Sequence, residues 1–293
     1  MQYFCAIQNT QISIMAKSAI LKSSLAKKYW MALTGLFLCL FLAGHVAGNM
    51  QLIFGDALQF NEYALFMTTF PAVKILSYLT YISIVFHAID GILLTIQNKR
   101  ARPIGYVKSS PGANSSWASR NMAILGSLIL VFIILHMSNF WATMHFDDKM
   151  PLQTITMDAN GQNQEFYLTT DNGKFFPADP AQLEQAGLEI RNKTEFYNKQ
   201  DNVKIGEGYK DLHKITMAYY QNKEYGLLAT IMYVLAMAVL SFHLLHGFAS
   251  GWQSLGVNHP KYNGFIKGFG KGYAILVPLL FAIVPIYIHF FAK

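Results

Sequence analysis

Five stretches of the chain stay apolar for about nineteen residues or more, near Trp30–Phe54, Ile75–Ile96, Met122–Met144, Leu227–Trp252 and Tyr273–Phe291. Each is long enough to cross a bilayer as a helix. The runs are continuous rather than alternating, which excludes membrane strands. Pro278 and Pro285 lie inside the fifth run, so that helix is expected to kink and to need partners for its freed backbone groups. The first run is too long for the apolar region of a cleaved signal peptide and contains Gly44, His45, Gly48 and Asn49, so it is expected to stay in the mature protein. Residues 1–15 show no clear periodicity and are expected to be peripheral, with Met15 an alternative start.

Between the third and fourth runs lies the one sizeable polar segment, 146–225, too long for a bare connection. Asn160-Gly161 and Asn172-Gly173 flank Glu165-Phe-Tyr-Leu-Thr-Thr170, which reads as turn, strand, turn. Asp179-Pro180 followed by Glu184 marks a helix start, and Tyr209–Tyr220 has the spacing of an amphipathic surface helix. No catalytic constellation is visible in this segment. The pattern predicts an all-α membrane protein, a bundle of five transmembrane helices with a polar outer insertion between helices 3 and 4. It divides into segment 1–28, helices 1–3 over 29–145, the insertion 146–225 and helices 4–5 over 226–293.

Composition agrees. The 293 residues are 53% hydrophobic and 13% charged, about half the charged fraction of a soluble domain, which excludes an ordinary cytosolic enzyme. The formal net charge of +7 is explained by where the charges sit, and nothing indicates nucleic-acid binding. Four lysines (Lys17, Lys22, Lys27, Lys28) precede the first run, and Lys99, Arg100, Arg102, Lys108 and Arg120 follow the second. Lys261, Lys267 and Lys271 follow the fourth, while the insertion holds nine basic against thirteen acidic residues. The positive-inside rule therefore places the N-terminus in the cytoplasm and the C-terminus outside it. The two cysteines, Cys5 and Cys39, lie across a membrane boundary and build neither a disulfide framework nor a thiolate site.

Four of nine histidines fall well inside four different runs: His45, His87, His136 and His243. Ionisable groups at such depth are costly and mark function. At about 1.5 Å per residue, His45 and His136 lie roughly 22 and 21 Å from the cytoplasmic edge, and His87 and His243 roughly 18 and 24 Å from the outer edge. Two therefore sit in the outer half of the bilayer and two in the inner half. An interhelical hydrogen bond explains one such histidine; four at two matched depths are what two bis-histidine haems require, pairing His45 with His136 and His87 with His243. Gly44, Gly48, Gly91 and Gly247 lie close to these ligands and leave room for a flat macrocycle, although glycine also serves close helix packing. His246 lies on nearly the same face as His243 and is an alternative ligand, or a propionate or quinone contact. His145, His213, His259 and His289 are expected to be solvated.

The segments His45-Val-Ala-Gly-Asn49, Phe86-His87-Ala-Ile-Asp-Gly91, Leu135-His136-Met137 and Ser241-Phe-His243-Leu-Leu-His-Gly247 resemble the four ligand segments of the dihaem cytochrome b membrane anchor of succinate dehydrogenase and fumarate reductase. The resemblance covers all five spans and leaves out the insertion and the N-terminal extension. It implies a single-polypeptide, five-helix, cytochrome b558-type anchor of the bacterial inner membrane, with two haem b groups. His45 and His136 hold the outer haem, and His87 and His243 the inner one. Its implied partners are an iron–sulfur subunit and a flavoprotein subunit on the cytoplasmic face, in a complex open to higher oligomerisation. Succinate is handled by those partners, and electrons are exchanged with quinone, typically menaquinone.

Quinone chemistry needs a proton donor or acceptor. Glu62 is the only glutamate between the first two spans, where fumarate reductase-type relatives use a carboxylate, and a solvated loop acid explains it equally. Asp90 is the only acid deep in a span, three residues after His87, placed to relay protons or to form a salt bridge. Some fumarate-reducing relatives carry a glutamate two residues before the fourth ligand, and here that position is Ser241. A cytochrome b anchor of a hydrogenase or formate dehydrogenase is an alternative, as is a haem-free transporter with a histidine relay.

Overall fold

The computed structural model describes residues 23–101, 104, 113, 115–159, 161–171 and 173–292. Lys17, Lys22, Arg102, Lys108, Asn160, Asn172 and the start at Met15 lie outside the described residues. Five helices are long and apolar enough to cross a membrane, Leu25–Phe54, Pro71–Ala101, Met122–Phe146, Gly226–Ser254 and Pro260–Phe290. Many of their large apolar side chains face outward, among them Leu40, Ile75, Leu128, Leu228 and Leu276, as lipid-facing surface requires and a soluble domain avoids. The protein is a multi-pass membrane protein.

The helices are α1 (Ser24–Asn49), α2 (Gln51–Phe54), α3 (Ala57–Thr69), α4 (Pro71–Ala101), α5 (Trp117–Arg120), α6 (Met122–His136), α7 (Thr143–Phe146), α8 (Pro180–Gln185), α9 (Leu212–Gln221), α10 (Gly226–Ser254) and α11 (Pro260–Phe290). A π-helical turn, Met137–Ala142, links α6 to α7. Helix α11 starts thirteen residues before the expected fifth span. Its first stretch holds three lysines and four glycines and lacks apolarity, but Pro260 is preorganised for a first helical turn. The helix runs unbroken through Pro278 and Pro285.

Two compact units make up the chain. One comprises Met1–His45, Leu76–Val131 and Leu235–Leu280. Small residues let its helices approach: a Cβ on Gly251 would stand 3.2 Å from Leu36 Cγ, and one on Gly270 would stand 2.7 Å from Phe248 Cδ1. The Tyr273 hydroxyl donates to the Cys39 carbonyl, tying α11 to α1, and Tyr273 stacks on Phe248.

The other unit comprises Val46–Ile75, Phe132–Val234 and Phe281–Lys293. Its insertion departs from an all-α fold by forming two three-stranded antiparallel sheets. The first contains β1 (Thr154–Ala159), β2 (Gln162–Leu168) and β3 (Phe175–Pro177), and the second β4 (Leu188–Arg191), β5 (Glu195–Asn198) and β6 (Val203–Glu207). The expected strand is β2, and Gly161, at φ +80°, supplies the left-handed turn residue after β1. The expected helix start is also present: the Asp179 carboxylate accepts from the Ala181 and Gln182 amides of α8. Phe196, fully buried, centres a small core with Leu152, Leu183 and Leu188.

Polar contacts anchor this insertion. Asn61 on α3, buried, donates to Gln153 and to Asp211 (2.9 Å) and accepts from the His213 amide at 3.0 Å. Asp211 also caps α9 by accepting from the Lys214 amide. Lys210 donates to the Met144 carbonyl (2.8 Å) and Lys193 to that of His145 (3.4 Å), placing two cations on the negative end of the third span. Asn192 and Lys193, in the connection from β4 to β5, both adopt positive φ. Helix α9 packs through Tyr220 on Leu52, Phe60, Val284 and Ile288. Gly226 lets the chain pass the Tyr220 carbonyl, which a Cβ would meet at 2.3 Å.

Replacing Asn61 with alanine leaves Asp211, Gln153 and the His213 amide without their buried partner, and should destabilise this unit by at least about 2 kcal/mol, read as a lower thermal midpoint in detergent. His213 is half-buried and packs edge-on to Phe60 rather than being freely solvated. Burial holds its pKa below the ordinary value, against the opposing pull of Asp211 and Asp56. The folded state therefore favours the neutral ring, and its contribution is present above about pH 6.5 and lost as pH falls below that. The thermal midpoint should drop between pH 7.5 and 5.5, and His213→Gln should flatten that drop.

Candidate functional site

The first unit brings together His87 on α4 and His243 on α10, with ring centroids 6.2 Å apart and planes at 68°. A glycine clears the space beside His87, and another stands beside His243 in ordinary contact range. A Cβ on Gly35 would stand 3.0 Å from His87 Cε1, and one on Gly126 would stand 3.7 Å from His243 Cε1. The Thr34 Oγ1 lies 2.7 Å from the Trp30 carbonyl and 3.3 Å from His87 Nδ1. His243 Nδ1 is buried with no hydrogen-bond partner among the described residues, costly in an apolar interior unless the ring has another role.

Two imidazoles on opposite sides of one metal ion form bonds of about 2.0–2.1 Å, and with each ligating nitrogen about 1.1 Å from its ring centre their centroids stand about 6.2–6.4 Å apart. The observed separation fits. Among the described residues no three His, Cys, Asp or Glu side chains gather into a metal cage. Two imidazoles at this separation are a donor set that a haem uses, and His87 and His243 would hold it.

Other residues singled out from the sequence are distributed as follows. His246, half-buried, follows His243 by one turn, and it is His243 whose ring faces His87. Asp90 feels the charge of Lys27 and the His87 ring. His45 stacks on Phe41, with centroids 5.2 Å apart. Among the described residues, a Cβ on Gly44 or Gly247 meets nothing within 4 Å and one on Gly91 meets only Met31. Gly48 is different: a Cβ there would stand 2.5 Å from the Tyr63 ring, so this glycine accommodates a tyrosine rather than a macrocycle.

In the second unit His136 lies among aromatic rings, Phe132 at 5.6 Å, Phe140 at 5.2 Å and Tyr233 at 6.2 Å between centroids. The π-helical turn starts at the next residue, an irregularity frequent at functional sites. Within it Asn139 donates to the Tyr219 hydroxyl at 2.9 Å. Glu62, exposed on α3, lies within electrostatic reach of the Tyr209 phenol. Burial, reinforced by the Glu62 charge, pushes that phenol up, so it stays protonated. Burial also lowers the Lys210 ammonium. His289 Nδ1 lies 2.7 Å from the Tyr220 carbonyl and so ties α11 to α9 rather than facing solvent. His145 is exposed and stacks on Trp141, and His259 accepts from the Lys261 amide.

Sequence reasoning missed Thr34, Gly35, Gly126 and Tyr209. Thr34 lies four residues past Trp30 in the first apolar run, at a depth where a hydroxyl facing a histidine on another helix was the available signal. No protein-family model matches the chain, and neither a curated protein nor a solved structure matches it.

Proposed function

We propose that this chain is the dihaem cytochrome b membrane anchor of a succinate:quinone oxidoreductase, moving electrons between an iron–sulfur partner on the cytoplasmic face and a quinone, menaquinone by resemblance. The observation that carries the reading is the His87–His243 pair, two imidazoles from different spans at the separation one metal ion requires. In this reading His87 and His243 hold the inner haem b. His45 and His136 are assigned to the outer one from their matched depth in the apolar runs of the sequence alone. Bound haem supplies a one-electron iron couple whose potential the protein sets through axial ligands, hydrogen bonds and burial.

The chain's own residues do the rest. Gly35 lets the His87 ring approach α1, and the apolar spans exclude water from both rings. Lys27, near the cytoplasmic end of the first span, offers a cation for propionate or partner carboxylates. Glu62, whose charge acts on the Tyr209 phenol, is the carboxylate that exchanges protons with quinone. With Ser241 in place of a glutamate, no transmembrane proton route runs through that position.

His87→Ala and His243→Ala should each remove one haem signal and retain the other, and His45→Ala and His136→Ala should do the reverse. His246→Ala should retain both. Retention of both haems in His243→Ala with loss in His246→Ala would transfer the fourth ligand to His246. Glu62→Gln should leave the haem spectra unchanged and lower quinone turnover by about tenfold or more; unchanged turnover would remove Glu62 from proton exchange.

A further inference from the structure

The hydroxyl of Thr34 has a single hydrogen, and its shortest contact decides where that hydrogen goes. Oγ1 lies 2.7 Å from the Trp30 carbonyl. A carbonyl carries no proton, so two oxygens this close are held only if the hydroxyl donates. Its second carbonyl neighbour, Met31 at 3.3 Å, is likewise acceptor-only. Toward His87 Nδ1, at 3.3 Å, the Thr34 oxygen therefore presents a lone pair.

A neutral imidazole has one N–H, and which nitrogen carries it is set by the partner that accepts it. We infer that Thr34 is a positioning residue that fixes the proton of His87 on Nδ1, leaving the Nε2 lone pair free to bind iron. The local helix supports this arrangement. Thr34 is buried on α1 and its hydroxyl is locked by bonding back to the preceding turn, so it cannot rotate to donate instead. Gly35, the next residue, allows the ring to approach α1 closely enough for that contact. A hydrogen bond accepted from Nδ1–H gives the imidazole more anionic character and makes it a stronger donor through Nε2, stabilising the oxidised metal.

The inference rests on the haem reading, and the test separates the two. In natively purified protein, the haem whose signal disappears in His87→Ala is followed by redox titration and low-temperature electron paramagnetic resonance. Thr34→Val, which retains the shape and loses the acceptor, should retain that haem, raise its midpoint potential and shift its low-spin resonance. Thr34→Ser should restore both. A haem present in Thr34→Val with unchanged potential and resonance would overturn the inference and leave the haem reading intact. Wild-type protein without haem would overturn the haem reading. The hydrogen-bond assignment is then read from nitrogen-15 shifts of the His87 ring in the folded chain. A proton on Nδ1 supports it, and a proton on Nε2 overturns it. That last measurement needs no variant and is unaffected if Thr34→Val fails to fold.

Discussion

An imidazole inside the hydrocarbon layer must satisfy two ring nitrogens where no water is available, and this requirement organises the first unit. At His87 one nitrogen faces Thr34, itself locked to the turn before it. At His243 the Nδ1 atom is buried without a hydrogen-bond partner among the described residues, although an unsatisfied polar group in such surroundings costs several kcal/mol. A pair of histidines retained for packing alone would gain by replacement with leucine. In the proposed reading the pair, with ring centroids 6.2 Å apart, is retained because the two imidazoles would hold a haem. Gly35 stands beside His87 because a Cβ there would crowd the ring.

The second unit solves a different problem. Its insertion is a small polar domain whose core, around Phe196, is too limited to fix its own position, and its anchoring is electrostatic and hydrogen-bonded. Lys193 and Lys210 occupy carbonyls at the end of the third span, and Asn61 joins α3 to both ends of the insertion through Gln153 and Asp211. Glu62 is the residue after Asn61, and Tyr209 lies two residues before Asp211. The carboxylate proposed for proton exchange is thus carried on backbone that this clamp holds.

The five spans were legible because bilayer thickness converts directly into a length of apolar sequence, and the intramembrane histidines because polar residues there are rare. β2 and α8 were legible through local chemistry, a glycine turn and an Asp-Pro cap. What escaped depends on partners distant in sequence. Helix α3 carries apolar and polar residues without a strong period, and its formation depends on the Asp56 cap and on burial of Phe60 and Asn61. The remaining strands pair across hairpins whose register a single strand does not display. The beginning of α11 is helical without being apolar, so a hydropathy window passes over it. Thr34 resembles any other small residue in a span until the fold places His87 beside its oxygen, and Gly48 resembles a cofactor glycine until Tyr63 fills the notch.

The most direct test of the account is a reduced-minus-oxidised difference spectrum, with haem quantification, on natively purified protein. Two low-spin b haems per chain are expected if the four intramembrane histidines act as two axial pairs. A folded, helical protein that contains no haem would contradict the central claim and return the histidines to a transport or packing role.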